Sequence, residues 1–338
     1  MRLLPVLTVL ALVLPLARSA WGQGGGGGGG GGGARWNGYL QLRYTGSRDV
    51  AGFSVRRAKL WLKGPAPVIE HLTFKVQGLF RTPNRGSFTL QDAYVEYGSG
   101  PASIKAGQMV PDYSRERKQP DAFIPLVERA AAINVLIPTA TTGARDIGVQ
   151  FTLRPPNGAW HLGVGLFNGT GGNAFKQDTR GVLVTGRGTW ALDLGSGVTW
   201  ELGGSAAYRR AVGLVFRKLL GTDQSIDGDD FRWGLETRLS GPRWEVQSEY
   251  LRARVAGRSA WGYYALAGYH LAPGYQLVVS TERLALPIPS SRDDPWYIIG
   301  LNWLVSGQDV KFMVDTRVRP GGRRTDYAGT IQFQVFVN

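Results

Sequence analysis

The chain reads as an all-β protein, a transmembrane antiparallel β-barrel of about sixteen strands. Between Ala34 and Asn338, apolar and polar residues alternate in about sixteen short runs, and the links between runs alternate between long and very short. Alternation sends successive side chains to lipid and lumen, and the two link lengths are those of hairpins at opposite rims. Trp and Tyr recur at the run ends, as in the aromatic girdles at membrane interfaces. A soluble sandwich or propeller also alternates, but neither leaves so many apolar side chains on a face with no second sheet to cover it.

Residues 1–22 read as a secretory signal peptide. Met1 and Arg2 form a basic start, Leu3 to Leu16 an apolar core, and Ala17 to Gly22 supply small residues for cleavage, and that apolar core is shorter than the roughly 20 residues of a spanning helix. Residues 23–35 form a glycine-rich tether, with Gly24 to Gly33 unbroken. Glycine buries no side chain, so such a tract behaves as a flexible coil. Residues 36–338 make up the barrel. No cysteine is present, which excludes disulfide scaffolds and thiolate metal sites.

The first five strands are read at Trp36 to Tyr44, Phe53 to Lys63, Leu72 to Arg81, Phe88 to Tyr97 and Ala102 to Gln108. The second changes phase near Arg56-Arg57, which predicts a bulge. Three more follow at Asp146 to Arg154, Trp160 to Phe167 and Val182 to Thr189, then four at Trp200 to Arg209, Arg232 to Leu239, Trp244 to Leu251 and Trp261 to His270. The last four are Gln276 to Arg283, Trp296 to Val305, Val310 to Val318 and Asp326 to Val337. Pro155-Pro156-Asn157-Gly158, Gly241-Pro242-Arg243, Ala272-Pro273-Gly274 and Ser306-Gly307-Gln308 are tight turns. Arg210 to Phe231, Leu284 to Pro295 and Arg319 to Thr325 are longer links, and the longest, residues 109–145, is the third of them. With both termini in the periplasm, the long links face outside. Pro111, Pro120 and Pro125 favour an irregular, inward-folded segment over a long helix, with Glu128 placed to pin it on a wall arginine.

The formal charge is +14. A nucleic-acid binder could share it, but not with a signal peptide and arginines scattered singly through alternating runs, so no nucleic-acid partner is expected. Alternation assigns Arg43, Lys59, Lys63, Lys75, Arg81, Lys105, Arg154, Arg187, Arg209, Arg232, Arg238, Lys311 and Arg317 to the lumen. The acids assigned there are Asp92, Glu96, Asp146, Glu201, Glu236, Glu245, Glu249, Glu282 and Asp315, an excess of about four cations. Strands one to five form a basic arc facing a more acidic arc on strands nine to thirteen, a transverse field that moderates exclusion of cations. The long link adds Arg115, Arg117 and Lys118. Such separated cations can replace the hydration of a passing anion with weak, repeated charge-assisted hydrogen bonds.

Enzymatic readings fare poorly. His71, His161 and His270 stand singly, with no serine grouped beside an oriented base. Asp223 to Asp230 is acidic but lacks EF-hand spacing and reads as a solvated loop. No cofactor or metal is expected.

Several stretches then carry a family resemblance: Phe53-Ser54-Val55-Arg56-Arg57-Ala58-Lys59-Leu60, Asp92-Ala93-Tyr94 with Ala106-Gly107-Gln108, Gly148-Val149, Gly165-Leu166-Phe167-Asn168-Gly169, and Gly300-Leu301-Asn302-Trp303. In order and spacing, from about Phe53 to Asp315, they resemble the phosphate-selective porins of the O and P type. The resemblance implies a homotrimeric sixteen-stranded barrel in outer-membrane lipid, a third loop folded into the lumen, and a basic constriction passing small anions such as phosphate or polyphosphate. Two features depart from the pattern. The C-terminus, Val335-Phe336-Val337-Asn338, lacks a terminal aromatic, and the long link has no lysine cluster. The resemblance therefore carries anion preference further than phosphate specificity. The alternative reading is a structural or adhesive barrel with a closed lumen.

Overall fold

Sixteen antiparallel strands close on themselves, each paired with its neighbours in sequence and the first paired with the last. The computed structural model describes residues 33–82, 86–140, 143–175, 181–321 and 325–337. The predicted signal peptide and nearly all of the glycine tether lie outside the described residues. The strands are β1 (Arg35–Ser47), β2 (Ala51–Pro65), β3 (Leu72–Arg81), β4 (Ser87–Ser99), β5 (Ala102–Met109), β6 (Asp146–Leu153), β7 (Trp160–Phe167) and β8 (Leu183–Gly195). They continue as β9 (Val198–Val215), β10 (Ser225–Ser240), β11 (Trp244–Val255), β12 (Arg258–Ala272), β13 (Tyr275–Ala285), β14 (Trp296–Ser306), β15 (Val310–Arg319) and β16 (Asp326–Val337). Three short helices sit in the links: α1 (Arg115–Lys118), α2 (Ala131–Leu136) and α3 (Arg217–Leu220).

Burial follows the period of two. On β1, Gln41 is fully buried while the next residue, Leu42, is 42% exposed. Outward apolar side chains meet lipid and inward polar ones face a filled interior, so the burial order of a soluble protein is inverted. The phase change at Arg56-Arg57 is a bulge: Gln41 pairs with Arg57 but Leu42 with Val55, leaving Arg56 as the extra residue. Both arginines consequently point inward, where both meet Glu128.

The ninth and tenth strands run further than alternation predicted. β9 continues to Val215 and β10 starts at Ser225, so the link predicted from Arg210 to Phe231 shrinks to residues 216–224. Two ion pairs hold the extension. Asp230 bonds Arg209 at 2.9 Å and Arg232 at 2.7 Å, all three fully or nearly fully buried. The acidic run is thus largely strand, with Asp229 accepting from the Tyr208 hydroxyl and Asp227 from the Gly213 amide. A locally unpatterned charge cluster hid these strands from a reading based on apolar period.

The described residues between 110 and 145 reach side chains on strands around the ring, Arg43 of β1, Asp92 of β4, Glu201 of β9 and Asp315 of β15 among them, and the inward face makes room for them at glycines. A Cβ on Gly163 would strike the Asp112 carboxylate, and one on Gly262 would lie 2.9 Å from the Ala132 methyl of α2. Gly262→Val is therefore expected to displace α2 and cost about 1–3 kcal/mol, the usual penalty of overpacking. A lowered midpoint of thermal unfolding in detergent checks this, and an unchanged midpoint contradicts the close fit.

Candidate functional site: a basic cavity beside residues 110–145

Three wall carboxylates hold the backbone of the long link. The Val127 amide donates to Asp315 at 2.8 Å, the Ala131 amide to Glu282 at 2.9 Å and the Glu116 amide to Glu249 at 2.6 Å. Its carbonyls accept from the wall in turn: Ala122 from Lys311 at 2.7 Å, Pro125 from Asn302 at 2.8 Å, and Ile137 from Arg232 at 2.7 Å. Buried amides without partners are costly, so these bonds are obligatory for a segment lying inside a barrel. α2 supplies the apolar part, burying Ala132, Ile133 and Leu136 in one cluster with Leu251, Tyr264, Leu266 and Val278 of the wall, Phe216 at the start of α3 and Leu219 within it. The acidic arc is thereby engaged by the link and packed over.

On the basic arc, ion pairs do the anchoring. Glu128 meets Arg43, Arg56 at 2.6 Å and Arg57 at 3.6 Å. Asp121 meets Lys59 at 2.5 Å, Arg129 at 2.8 Å and Arg57 at 3.5 Å. Burial opposes the charge on both acids, but the arginines and lysine around them outweigh it and hold both well below the usual carboxylate range. A further acid, Asp112, bonds His161 at 2.5 Å and lies near Arg187 and Lys118.

Between this anchored segment, β2 to β4 and α3 lies a cavity of about 140 Å³. Its charged lining is Arg56, Arg57, Arg81, Arg117, Arg129, Arg145 and Lys218 against Asp121 alone. Several of these cations are paired elsewhere, Arg145 with Asp92 at 3.1 Å for instance. Arg81, Arg117 and Lys218 have no ion pair among the described residues, and the Nε atoms of Arg81 and Arg117 are buried without a hydrogen-bond partner. Burial, reinforced by the charges of Arg145 and Arg129, lowers the Arg117 guanidinium to about 9. Cations crowded at such cost are relieved by an anion.

The cations predicted for the anion path divide into three groups, with Lys63 apart from them. Arg43, Lys59 and Lys311 are buried anchors of the link. Lys75, Lys105, Arg115, Lys118, Arg187 and Arg317 each face a carboxylate: Asp92, Glu96, Glu201, Asp112, Glu236 and Glu282 respectively. Arg81 and Arg117 line the cavity, and Lys63 on β2 sits opposite Lys75. Alternation missed Arg56, Arg57, Arg129, Arg145 and Lys218. The bulge signal was present for the first two; the other three lie in links, where period carries no information about direction.

One acid of the link behaves oppositely to the rest. Burial, and the neighbouring Glu249 carboxylate, push Glu116 up to about 8, against the pull of Arg129. A raised carboxyl stabilises the folded state fully below its unfolded value of about 4.5 and loses that contribution as pH rises through about 8. Channel noise is accordingly expected to grow above pH ~8 as Glu116 ionises beside Glu249, with Glu116→Gln flattening the profile. Identical pH profiles for the two proteins would remove Glu116 as the cause.

The sequence matches the family model for phosphate-selective porin O and P over residues 32–217. No curated protein matches it. Among solved structures, the barrel is similar to OprB of Pseudomonas putida at high pH, with 10% identity, a TM-score of 0.66 and coverage of 90% of this chain and 94% of that one. The trimer form of OmpT, an outer membrane protein of Vibrio cholerae, gives 9% identity, a TM-score of 0.60 and coverage of 90% and 99%. The outer membrane channel DcaP of Acinetobacter baumannii gives 11%, 0.59, and 90% and 98%. At these identities the structures establish the fold, a porin-like barrel. The family match, spanning more than half of the chain and the arginine-bearing strand β2, adds the class: the chain belongs to the phosphate-selective porin O and P family and is an outer-membrane channel.

Proposed function

We propose that the protein passes small hydrophilic solutes by diffusion with a preference for anions, phosphate among them, and that residues 110–145 narrow the path to the basic cavity. One observation carries the reading: seven cations and a single carboxylate line that cavity. The acids that balanced the cations in a simple count, Glu249, Glu282 and Asp315, are occupied by amides of the link. An anion entering the cavity exchanges water for guanidinium and ammonium donors at fixed positions, and the Asp121 carboxylate in the lining keeps the site from holding it too tightly. The same cavity penalises a cation, since little negative charge faces it.

Phosphate is named by the family alone, and a homotrimer is supported by the family and by the trimer form of a similar barrel. Recording from the purified protein in planar bilayers tests the reading. An anion-biased reversal potential in asymmetric KCl is expected, with phosphate added to a chloride-conducting pore giving concentration-dependent block. A cation-biased potential overturns the anion preference, and folded protein that never conducts favours the closed structural barrel. Conductance indifferent to phosphate leaves a general anion pore in place of a phosphate site.

A further inference from the structure

The outward wall of β9 to β13 carries a feature that the channel does not use. Arg252 and Arg254 stand two residues apart on the same outward face of β11, exposed, about 7 Å from one another along the strand. Among the described residues neither has an ion pair or hydrogen-bond partner for its guanidinium. Outward Arg210 on β9 and Arg283 on β13 flank them, the latter above the Trp261 ring at 5.2 Å and bonded to Asp293. Trp233 and Trp261 are the cross-strand partners of Arg252, and Tyr250 and Tyr263 pair two residues below it; the four rings form a continuous aromatic row, with successive centroids 5.5, 6.2 and 6.4 Å apart. Such a row marks the level where headgroups meet acyl chains. Arg252 therefore lies at the upper edge of the row and Arg254 two residues beyond it, at headgroup height on the rim that carries the long links.

Below the aromatic row, β7 to β11 form an apolar groove of about 790 Å³. Its floor is glycine: Gly188 and Gly204 are cross-strand partners, and a Cβ on either would have no neighbour closer than 3.4 Å. Nothing in the wall requires glycine there. Trp190, Leu202, Leu235 and Tyr250 form its sides. Tyr250 belongs to both features, so the groove begins two residues below Arg252.

We propose that this face holds one phosphorylated glycolipid of the outer leaflet, its headgroup phosphate on Arg252 and Arg254 and one acyl chain in the groove floored by Gly188 and Gly204. Paired guanidinium groups suit a phosphate, which accepts bidentate hydrogen bonds and relieves the repulsion of two unpartnered cations. An acyl chain supplies the apolar volume that the glycines leave empty, and its attachment to the headgroup explains why the two features adjoin. The inference takes from the channel reading only the membrane in which the barrel sits.

The test uses the full chain in phosphatidylethanolamine nanodiscs titrated with diphosphoryl lipid A, with retained lipid counted by native mass spectrometry. The double variant R252Q/R254Q is expected to lower retention about tenfold or more, as fits the loss of two interfacial cations. The groove-filling variant G188L/G204L should lower it too, with both arginines intact, while R252K/R254K retains most of it. Unchanged retention in either of the first two variants overturns the proposal. So does displacement by inorganic phosphate with no effect of G188L/G204L, which marks a plain anion patch, and so does loss of oligomer in R252Q/R254Q, which assigns the face to a second copy. Conductance is recorded on each sample, so a pore that fails to conduct is told apart from a lipid that fails to bind.

Discussion

Replacing Arg81, Arg117 and Lys218 together by glutamine is expected to lower the anion-to-cation permeability ratio about tenfold, a change of ~1.4 kcal/mol. The three line one cavity and none has an ion pair among the described residues. A pair of unit charges ~5 Å apart at an effective dielectric constant of ~20 interacts by about 3 kcal/mol, so the predicted change asks for only part of the available attraction. Glutamine keeps hydrogen-bonding capacity and removes charge, which isolates the electrostatic contribution. Reversal potentials in asymmetric KCl read the ratio directly. The same substitutions at Arg43, Lys59 and Lys311 form the contrast, since those cations anchor the link; they should alter stability and conductance more than selectivity. A ratio unchanged in the first triple variant would place the selectivity filter elsewhere.

Glu128→Gln is expected to loosen the link and destabilise the barrel by about 3–5 kcal/mol, the usual cost of stranding buried charge. The carboxylate joins Arg43, Arg56 and Arg57, and without it three guanidinium groups face one another around a neutral amide. The chain near 121–129 then keeps on that side the ion pairs of Asp121 and the bond from Arg43 to the Val127 carbonyl. Larger and noisier single-channel currents together with a lower thermal midpoint are the expected signs. Because Glu128 is held well below the usual carboxylate range, its contribution is present above a pH of about 4.5 and is lost only as pH falls through the depressed folded value. Mild acid should therefore not mimic the variant. Wild-type behaviour in Glu128→Gln would show that the apolar seat of α2 suffices to hold the link.

The strand ladder was legible because its signal is local. A period of two survives in almost every segment, and the third, seventh and sixteenth strands begin and end where alternation begins and ends. Even the bulge at Arg56-Arg57 announced itself as a change of phase. Alternation failed where charge replaced the apolar half of the pattern, at Asp223 to Asp230, because the stabilising partner of an aspartate is chosen in three dimensions. Arg209 and Asp230 are 21 residues apart and adjacent across the sheet.

The lumen was legible only as a count. Alternation told which side chains point inward but not which are spent on structure. Arg43 and Glu128, 85 residues apart, illustrate the gap: one was predicted for the anion path, and folding makes it an anchor. The sequence alone determined a membrane barrel with a basic surplus and one long link, because both alternation and composition act residue by residue. Only the tertiary structure decided where the surplus is left free, because neutralisation depends on which carboxylates the link's amides occupy and which cations remain on the open side.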